Sequence, residues 1–193
     1  MHIADTEPFA GGEAGAGLVQ AVAGEVAAQG VRGDSANAMR RRIEGWARGR
    51  GLDVAESFIA REIEGVSVRV PMYAITEGTA VIEATALAPV KANVSTEPKT
   101  WLDRFRASAS TGDQAFDRTW RTRSSDAALA LGIIDSEVRD ALREVRGWCR
   151  ASYHDGRIEV RLDVPRMCGA RLLEGISVAA ALGRTRPASN AYR

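Results

Sequence analysis

The segment that decides the fold runs from Thr111 to Val164 and reads TGDQAFDRTWRTRSSDAALALGIIDSEVRDALREVRGWCRASYHDGRIEVRLDV. Turn residues, helix caps and hydrophobic periodicity agree with one another along its whole length. Its first three residues have the composition of a turn, because glycine tolerates a positive φ and aspartate can bond its own backbone two residues on. Phe116 follows this turn and is expected in the core, and a short strand is predicted over residues 119–123.

Two short helices are predicted after that strand. Ser124-Ser125-Asp126 is a cluster of N-cap residues, and Asp135 or Ser136 can cap the second helix. Gly147 has the position expected of the residue that ends this helix. The second helix carries a single apolar stripe, formed by Val138, Leu142 and Val145.

A β-hairpin is predicted next, closed by Asp155-Gly156. This pair favours a two-residue type I′ turn. That turn sets a register in which all the apolar residues share one face, whereas a slip of one residue would mix polar and apolar side chains. The opposed residues are then His154 with Arg157, Tyr153 with Ile158, Ala151 with Val160, Arg150 with Arg161, and Cys149 with Leu162.

The rest of the chain predicts an α+β fold. Helical periodicity appears over residues 13–29, 35–47 and 168–183, and alternating patterns typical of strands appear over 66–70, 79–87 and 90–95. Residues 95–99 are predicted to form a loop and 101–110 a further strand. We therefore expect N-terminal helices followed by an antiparallel sheet with helices packed on one face and a C-terminal helix.

The predicted organisation has four parts. A flexible tail covers residues 1–12, an N-terminal helical segment covers 13–60, the α+β domain covers 61–183, and a second flexible tail covers 184–193. The division near residue 60 follows a change in composition, from Ala/Arg/Gly-rich helices to Val/Thr/Ile-rich strands.

The composition is that of a globular protein without a dominant charge. The 193 residues carry a net charge of +1, with 45% hydrophobic and 26% charged residues. This balance excludes a strong overall attraction to nucleic acid or to an anionic membrane. The basic residues are 24 arginines and only two lysines, which favours a GC-rich bacterial genome. The first residues lack the basic and apolar regions of a signal peptide, so a cytoplasmic location is expected.

Few residues have the surroundings that catalysis or metal binding requires. Two cysteines and two histidines fit no zinc spacing, so neither a metal nor a cofactor is expected. Asp113 and Asp117 flank Phe116 and could together perform acid–base work, but turn and capping roles explain them as well. His154 beside the hairpin turn is expected to be exposed, and Cys149 and Cys168 are expected to be buried, unreactive thiols.

Arginines and tryptophans are predicted to share the polar face of the sheet. This candidate ligand-binding surface comprises Arg150, Arg161, Trp148, Trp120, Arg121 and Arg123. Such a mixture can bind anions or stack on single-stranded nucleic acid. Nucleic acid is not expected as the partner, because no reader motif accompanies these residues. Arg150 opposite Arg161 should be unfavourable unless Glu159, Asp163 or a ligand compensates the charge.

The string Thr-Gly-Asp-x-x-Phe-Asp-x-x-Trp, together with the capped helices and the Asp-Gly hairpin, resembles an uncharacterised bacterial domain family. That family is a domain of unknown function whose usual form reads Gly-Asp-x-x-Phe-Asp-x-x-Phe-x-Val. Here Trp120 and Thr122 stand at the second aromatic and the valine positions. The resemblance covers residues 63–182 and implies a fold more than an activity.

Three functions remain open at this point. The first is a non-enzymatic accessory or interaction domain that binds another protein. The second is a domain that binds a small ligand or anion through the arginine and tryptophan surface. The third is a hydrolase or transferase of unknown type.

Overall fold

The computed structural model describes residues 36–76, 78–145 and 147–186, all within one compact unit bounded by Ser35–Arg193. Its helices are α1 (Ala36–Gly49), α2 (Gln114–Thr119), α3 (Ala127–Ile133), α4 (Ser136–Glu144) and α5 (Gly169–Arg184). Its strands are β1 (Asp53–Val54), β2 (Phe58–Ile63), β3 (Val66–Pro71), β4 (Thr79–Thr85), β5 (Asn93–Pro98), β6 (Trp120–Ser124), β7 (Cys149–His154) and β8 (Arg157–Asp163). Two short 3₁₀ helices span Met72–Ala74 and Trp101–Phe105.

The strands form a single antiparallel sheet in the order β1-β2-β3-β4-β8-β7-β5-β6. The predicted α+β class, the antiparallel sheet and the C-terminal helix are confirmed. The helix predicted over 35–47 corresponds to α1, which buries Met39, Ile43 and Ala47. The helix predicted over 13–29 lies outside the described residues, as do the tail at 1–12 and residues 187–193 of the second tail.

The β7–β8 hairpin has the predicted register. Asp155 and Gly156 have φ values of 49° and 86°, which a type I′ turn requires. The opposed pairs are those expected, from His154 with Arg157 to Cys149 with Leu162. Turn chemistry and the two-residue period therefore select one register together.

Helix α5 lies across the middle of the sheet and covers one of its faces. A Cβ atom added at Gly175 would lie 2.4 Å from Ile82, and one added at Gly183 would lie 2.4 Å from Val66. These glycines let the helix backbone approach the strands closely. Another such contact joins α1 to α5, because the indole of Trp46 occupies the space where a Gly169 side chain would be.

Two predictions around residue 100 are wrong. Residues 95–98, expected in a loop, belong to β5, which lies between β7 and β6 and buries Val94 and Thr96. Residues 101–110, expected to form a strand, begin with the 3₁₀ helix Trp101–Phe105. Thr100 and Asp103 form a capping box that favours this helical turn over an extended conformation. The remaining strand-like contact is an isolated bridge between Ala109 and Thr122.

Two smaller differences concern the ends of elements. Helix α2 precedes β6, so the predicted strand over 119–123 begins one residue later, at Trp120. Strands β1 and β2 add two antiparallel members to the sheet edge, and β2 runs across residues 60 and 61, where the compositional change was placed.

Candidate interaction surface

The face of the sheet opposite α5 carries polar and charged side chains, and we call it the open face. Its members come from alternate positions of the same strands that supply the core. The register aligns them in rows across the sheet, such as Glu83 with Glu159, Glu159 with Ser152, and Ser152 with Ser95. The open face includes Arg69, Glu83, Ser95, Glu97, Arg121, Arg123, Arg150, Ser152, Arg157, Glu159 and Arg161.

Arg150 and Arg161 oppose each other on this face and share one carboxylate. The Nε atom of Arg161 lies 3.2 Å from Oδ1 of Asp163, and the Nε atom of Arg150 lies 3.7 Å from Oδ2. Asp163 therefore compensates the like-charge pair that the sequence pattern singled out. Both guanidinium groups remain exposed, and ion pairs in such surroundings contribute about 0–1 kcal/mol to stability.

The two tryptophans of the predicted surface lie in different environments. Trp148 immediately precedes β7 and is partly exposed. Trp120 is buried and stacks on Phe116, with ring centroids 5.7 Å apart and an angle of 7° between the planes. Because α2 ends at Thr119, Trp120 becomes the first residue of β6 and faces the helices. It therefore belongs to the core and not to the open face.

Arg121 is also buried, but for a different reason. Its Nη1 atom donates to Oδ1 of Asp103 at 2.9 Å, and its Nε and Nη2 atoms donate to the Ala107 carbonyl oxygen at 3.3 Å. These bonds tie the segment 100–107 to the end of the open face. Arg123, which is exposed, pairs with Glu97 on the neighbouring strand.

The Asp103 carboxylate completes this anchor. It accepts hydrogen bonds from the backbone N–H of Thr100 at 2.8 Å and from its hydroxyl at 2.7 Å. These two bonds, helped by Arg121 and Arg106, hold the pKa of Asp103 below its ordinary value. The carboxylate is thus ionised at neutral pH and is fully engaged in holding the segment.

The Thr-Gly-Asp-x-x-Phe-Asp motif has a structural role at the start of α2. Asp113 caps the helix by accepting from the N–H of Phe116 at 3.0 Å, and it forms an ion pair with Arg143. These contacts, the capping bond first, lower the pKa of Asp113. Asp117 accepts from the hydroxyl of Thr111 at 2.7 Å and from that of Ser110 at 2.8 Å.

The remaining candidate catalytic residues, His154 and the two cysteines, do not form a common site. His154 is exposed, with its Nε2 atom 3.7 Å from Oδ2 of Asp155. Burial raises the pKa of Cys149 to about 12, which keeps the thiol protonated. Cys168 precedes α5 and is partly buried. Within the described part of the chain, no three His, Cys, Asp or Glu residues are placed to hold a metal ion.

Sequence reasoning missed two exposed residues beside this surface. Trp101 and Leu102 were placed in a strand, whereas they lie on the 3₁₀ helix that follows β5. The Thr100-x-x-Asp103 spacing was the signal for a capped helical turn.

Comparison with known proteins supports the fold assignment. No protein-family model matches the chain, and no curated protein matches its sequence. Among solved structures, the chain is similar to the mycobacterial trehalose monomycolate transport factor A, TtfA, with a TM-score of 0.50 and 15% identity. The match covers 75% of this chain and 92% of that one, and at this identity it shows a shared fold alone.

None of the helices in the described ranges is both long and apolar enough to cross a membrane.

Proposed function

We propose that this chain is a non-enzymatic accessory domain that acts by binding another protein. The observation that carries the proposal is the open face of the sheet, where Arg150, Arg161 and Trp148 are accessible while α5 packs on the opposite face. Arginine and tryptophan are enriched in protein–protein interfaces, because both combine a large contact area with directional polar groups.

The carboxylates that first suggested catalysis support the same proposal. Asp113 and Asp117 are both committed to backbone and side-chain hydrogen bonds that build the start of α2. The structural neighbour is named a transport factor, and we take from that name only the general idea of an accessory role. A bacterial, cytoplasmic setting remains part of the proposal.

A photo-crosslinking experiment tests this function. A benzoylphenylalanine in place of Ser152, in the middle of the open face, should form discrete adducts with another protein in cells. The same group in place of Ser177, which is exposed on α5, serves as the control. Absence of adducts at Ser152, or equal adducts at both positions, contradicts the proposal.

Binding of a small anion is a second candidate. It is favoured because the guanidinium groups of Arg150 and Arg161 are both exposed and share the single carboxylate of Asp163. Titration with citrate should then give saturable binding that weakens about tenfold in Arg150→Gln, a change of about 1.4 kcal/mol. Arg157→Gln, at the turn end of the β7–β8 hairpin, should bind as the unmodified chain does.

A further inference from the structure

Two tryptophans lie at one corner of the sheet with much of their surface exposed. Trp101 is 74% exposed and Trp148 is 39% exposed. Trp148 directly follows Gly147, and a Cβ atom added at Gly147 would lie 3.9 Å from the Pro98 ring. Trp101 is three residues beyond Pro98 in the sequence, so both tryptophans are attached to the backbone near Pro98. Exposed aromatic surface of this kind is unfavourable in water and commonly marks a binding site.

The turn that carries Trp101 is held in place by buried polar contacts. Asp103 bonds Thr100 within the turn and Arg121 on β6, and Arg121 also bonds the Ala107 carbonyl. Trp101 and its neighbour Leu102 are therefore presented on an anchored segment. Binding to such a preformed surface loses less conformational entropy than binding to a flexible loop.

The exposed charges around this corner are predominantly those of arginines. Two separate clusters of ion pairs join five arginines to three carboxylates, and each cluster has a formal excess of one positive charge. The side chains of the four outer arginines are 48–66% exposed, whereas those of the carboxylates are only 5–37% exposed. The outer arginines are Arg106, Arg123, Arg150 and Arg161, and the carboxylates are Glu97, Asp103 and Asp163.

We propose that Trp101, Leu102 and Trp148, with Arg123, Arg150 and Arg161, bind an acidic segment of a partner protein that carries a large apolar side chain between its carboxylates. The apolar side chain contacts the indoles and Leu102, and the carboxylates pair with the outer guanidinium groups, which can bind them in bidentate fashion. A free anion would use the arginines and leave the indoles exposed. This inference rests on the proposed function and specifies the chemistry of the partner.

The test uses a phage-displayed library of random twelve-residue peptides, panned on the full chain. Enriched peptides should contain several Asp or Glu residues around one aromatic or large aliphatic residue. Synthetic versions should bind at least tenfold more weakly to Trp101→Ala and to Arg150→Glu. Binding should also weaken with added salt, because exposed charge pairs are screened.

A matched pair of variants controls for general effects. Leu102 and Leu87 are 46% and 47% exposed, and Leu87 follows β4 at the opposite end of the sheet. Leu102→Ala should weaken peptide binding severalfold, and Leu87→Ala should leave it unchanged. Urea unfolding of each variant separates loss of binding from loss of folding.

Several outcomes overturn the inference. These are a consensus without acidic residues, equal binding by the Leu102→Ala and Leu87→Ala variants, and tighter binding of a single-stranded oligonucleotide than of the peptides. Failure of this inference can be distinguished from failure of the proposed function. Cross-links from Ser152 without an acidic consensus would contradict this inference and leave the proposed function standing. Corner-dependent binding of acidic peptides without Ser152 cross-links instead supports this inference and contradicts the proposal that the middle of the open face binds a partner.

Discussion

The two faces of the sheet use the same strands for different purposes. On β8, Ile158, Val160 and Leu162 are buried beneath helices, while Arg157, Glu159 and Arg161 alternate with them on the open face. The covered face is apolar over its central strands and is approached by glycines of α5. The open face contains both like-charged and oppositely charged neighbours.

Residues that stabilise the core therefore alternate, one by one along each strand, with residues that we propose bind a partner. Burial of a side chain such as Leu162 contributes about 1.5–3 kcal/mol relative to exposure. A surface pair such as Arg161 with Asp163 contributes about 0–1 kcal/mol. Residues on the open face can therefore change to suit a partner without a large loss of stability.

The sharpest test of this separation compares neighbouring residues of β8. Leu162→Ala should lower the free energy of unfolding by about 2–5 kcal/mol, because it leaves a cavity beneath α5. Arg161→Ala should change it by at most about 0.5 kcal/mol. Urea denaturation of the two variants measures both values, and comparable losses would contradict the division between the faces.

A second test concerns how closely the helices pack on the covered side. Gly169→Ala should destabilise the protein by about 1–3 kcal/mol, because the new methyl group would lie 2.0 Å from the Trp46 ring. A Cβ atom added at Gly45, in α1, would have no atom within 4 Å. Gly45→Ala should therefore stabilise the protein by about 0.5–1 kcal/mol, because alanine favours a helix more than glycine does. Thermal unfolding should separate the two variants in opposite directions, and two shifts of the same sign would refute the packing argument.

The smallest expected effect comes from the charge of Asp113, which caps α2. Asp113→Asn keeps an oxygen that can cap α2 but loses the ion pair with Arg143. Because the pKa of Asp113 is lowered in the folded state, the carboxylate contributes stability above its ordinary pKa of 3.8, and this contribution is lost as the pH falls.

The measurement is urea denaturation of the unmodified chain and the variant at pH 7 and below pH 3. The difference between them should be present at pH 7 and should be smaller at the lower pH. Asp140→Asn, which removes an exposed carboxylate that also pairs with Arg143, provides the control. A difference that is the same at both pH values would show that the charge of Asp113 does not contribute.

Local patterns predicted much of the fold. The β7–β8 register followed from the Asp155-Gly156 turn and the alternation of side chains, and both lie within fifteen residues of sequence. Among the predicted cap candidates, Asp126 caps α3 and Asp135 caps α4, each accepting from backbone N–H groups two or three residues on. Such contacts involve near neighbours in the chain, so the residue types alone indicate them.

The candidate surface was only partly predictable. Arg150, Arg161 and Trp148 were identified from the hairpin pattern, and the structure brings them together with Asp163. Trp120 was placed on the wrong face, because residues that alternate with Arg121 and Arg123 along β6 lie on the opposite side of the sheet. Helix α2, which precedes β6, was not predicted. Trp101 was assigned to a strand although the local Thr100-x-x-Asp103 spacing favours a capped helical turn. The contact that anchors this turn was not predictable locally, because Arg121 lies eighteen residues beyond Asp103.

The sequence by itself determined the hairpin, the helix caps and the alternation that gives the central strands one apolar and one polar face. Each of these depends on backbone preferences and on a period that is visible within a few residues. Only the tertiary structure decided that β5 lies between β7 and β6 and that segment 100–107 is tied to Arg121. Those contacts join residues that are distant in the chain, and they depend on which buried surfaces fit together, not on local propensity.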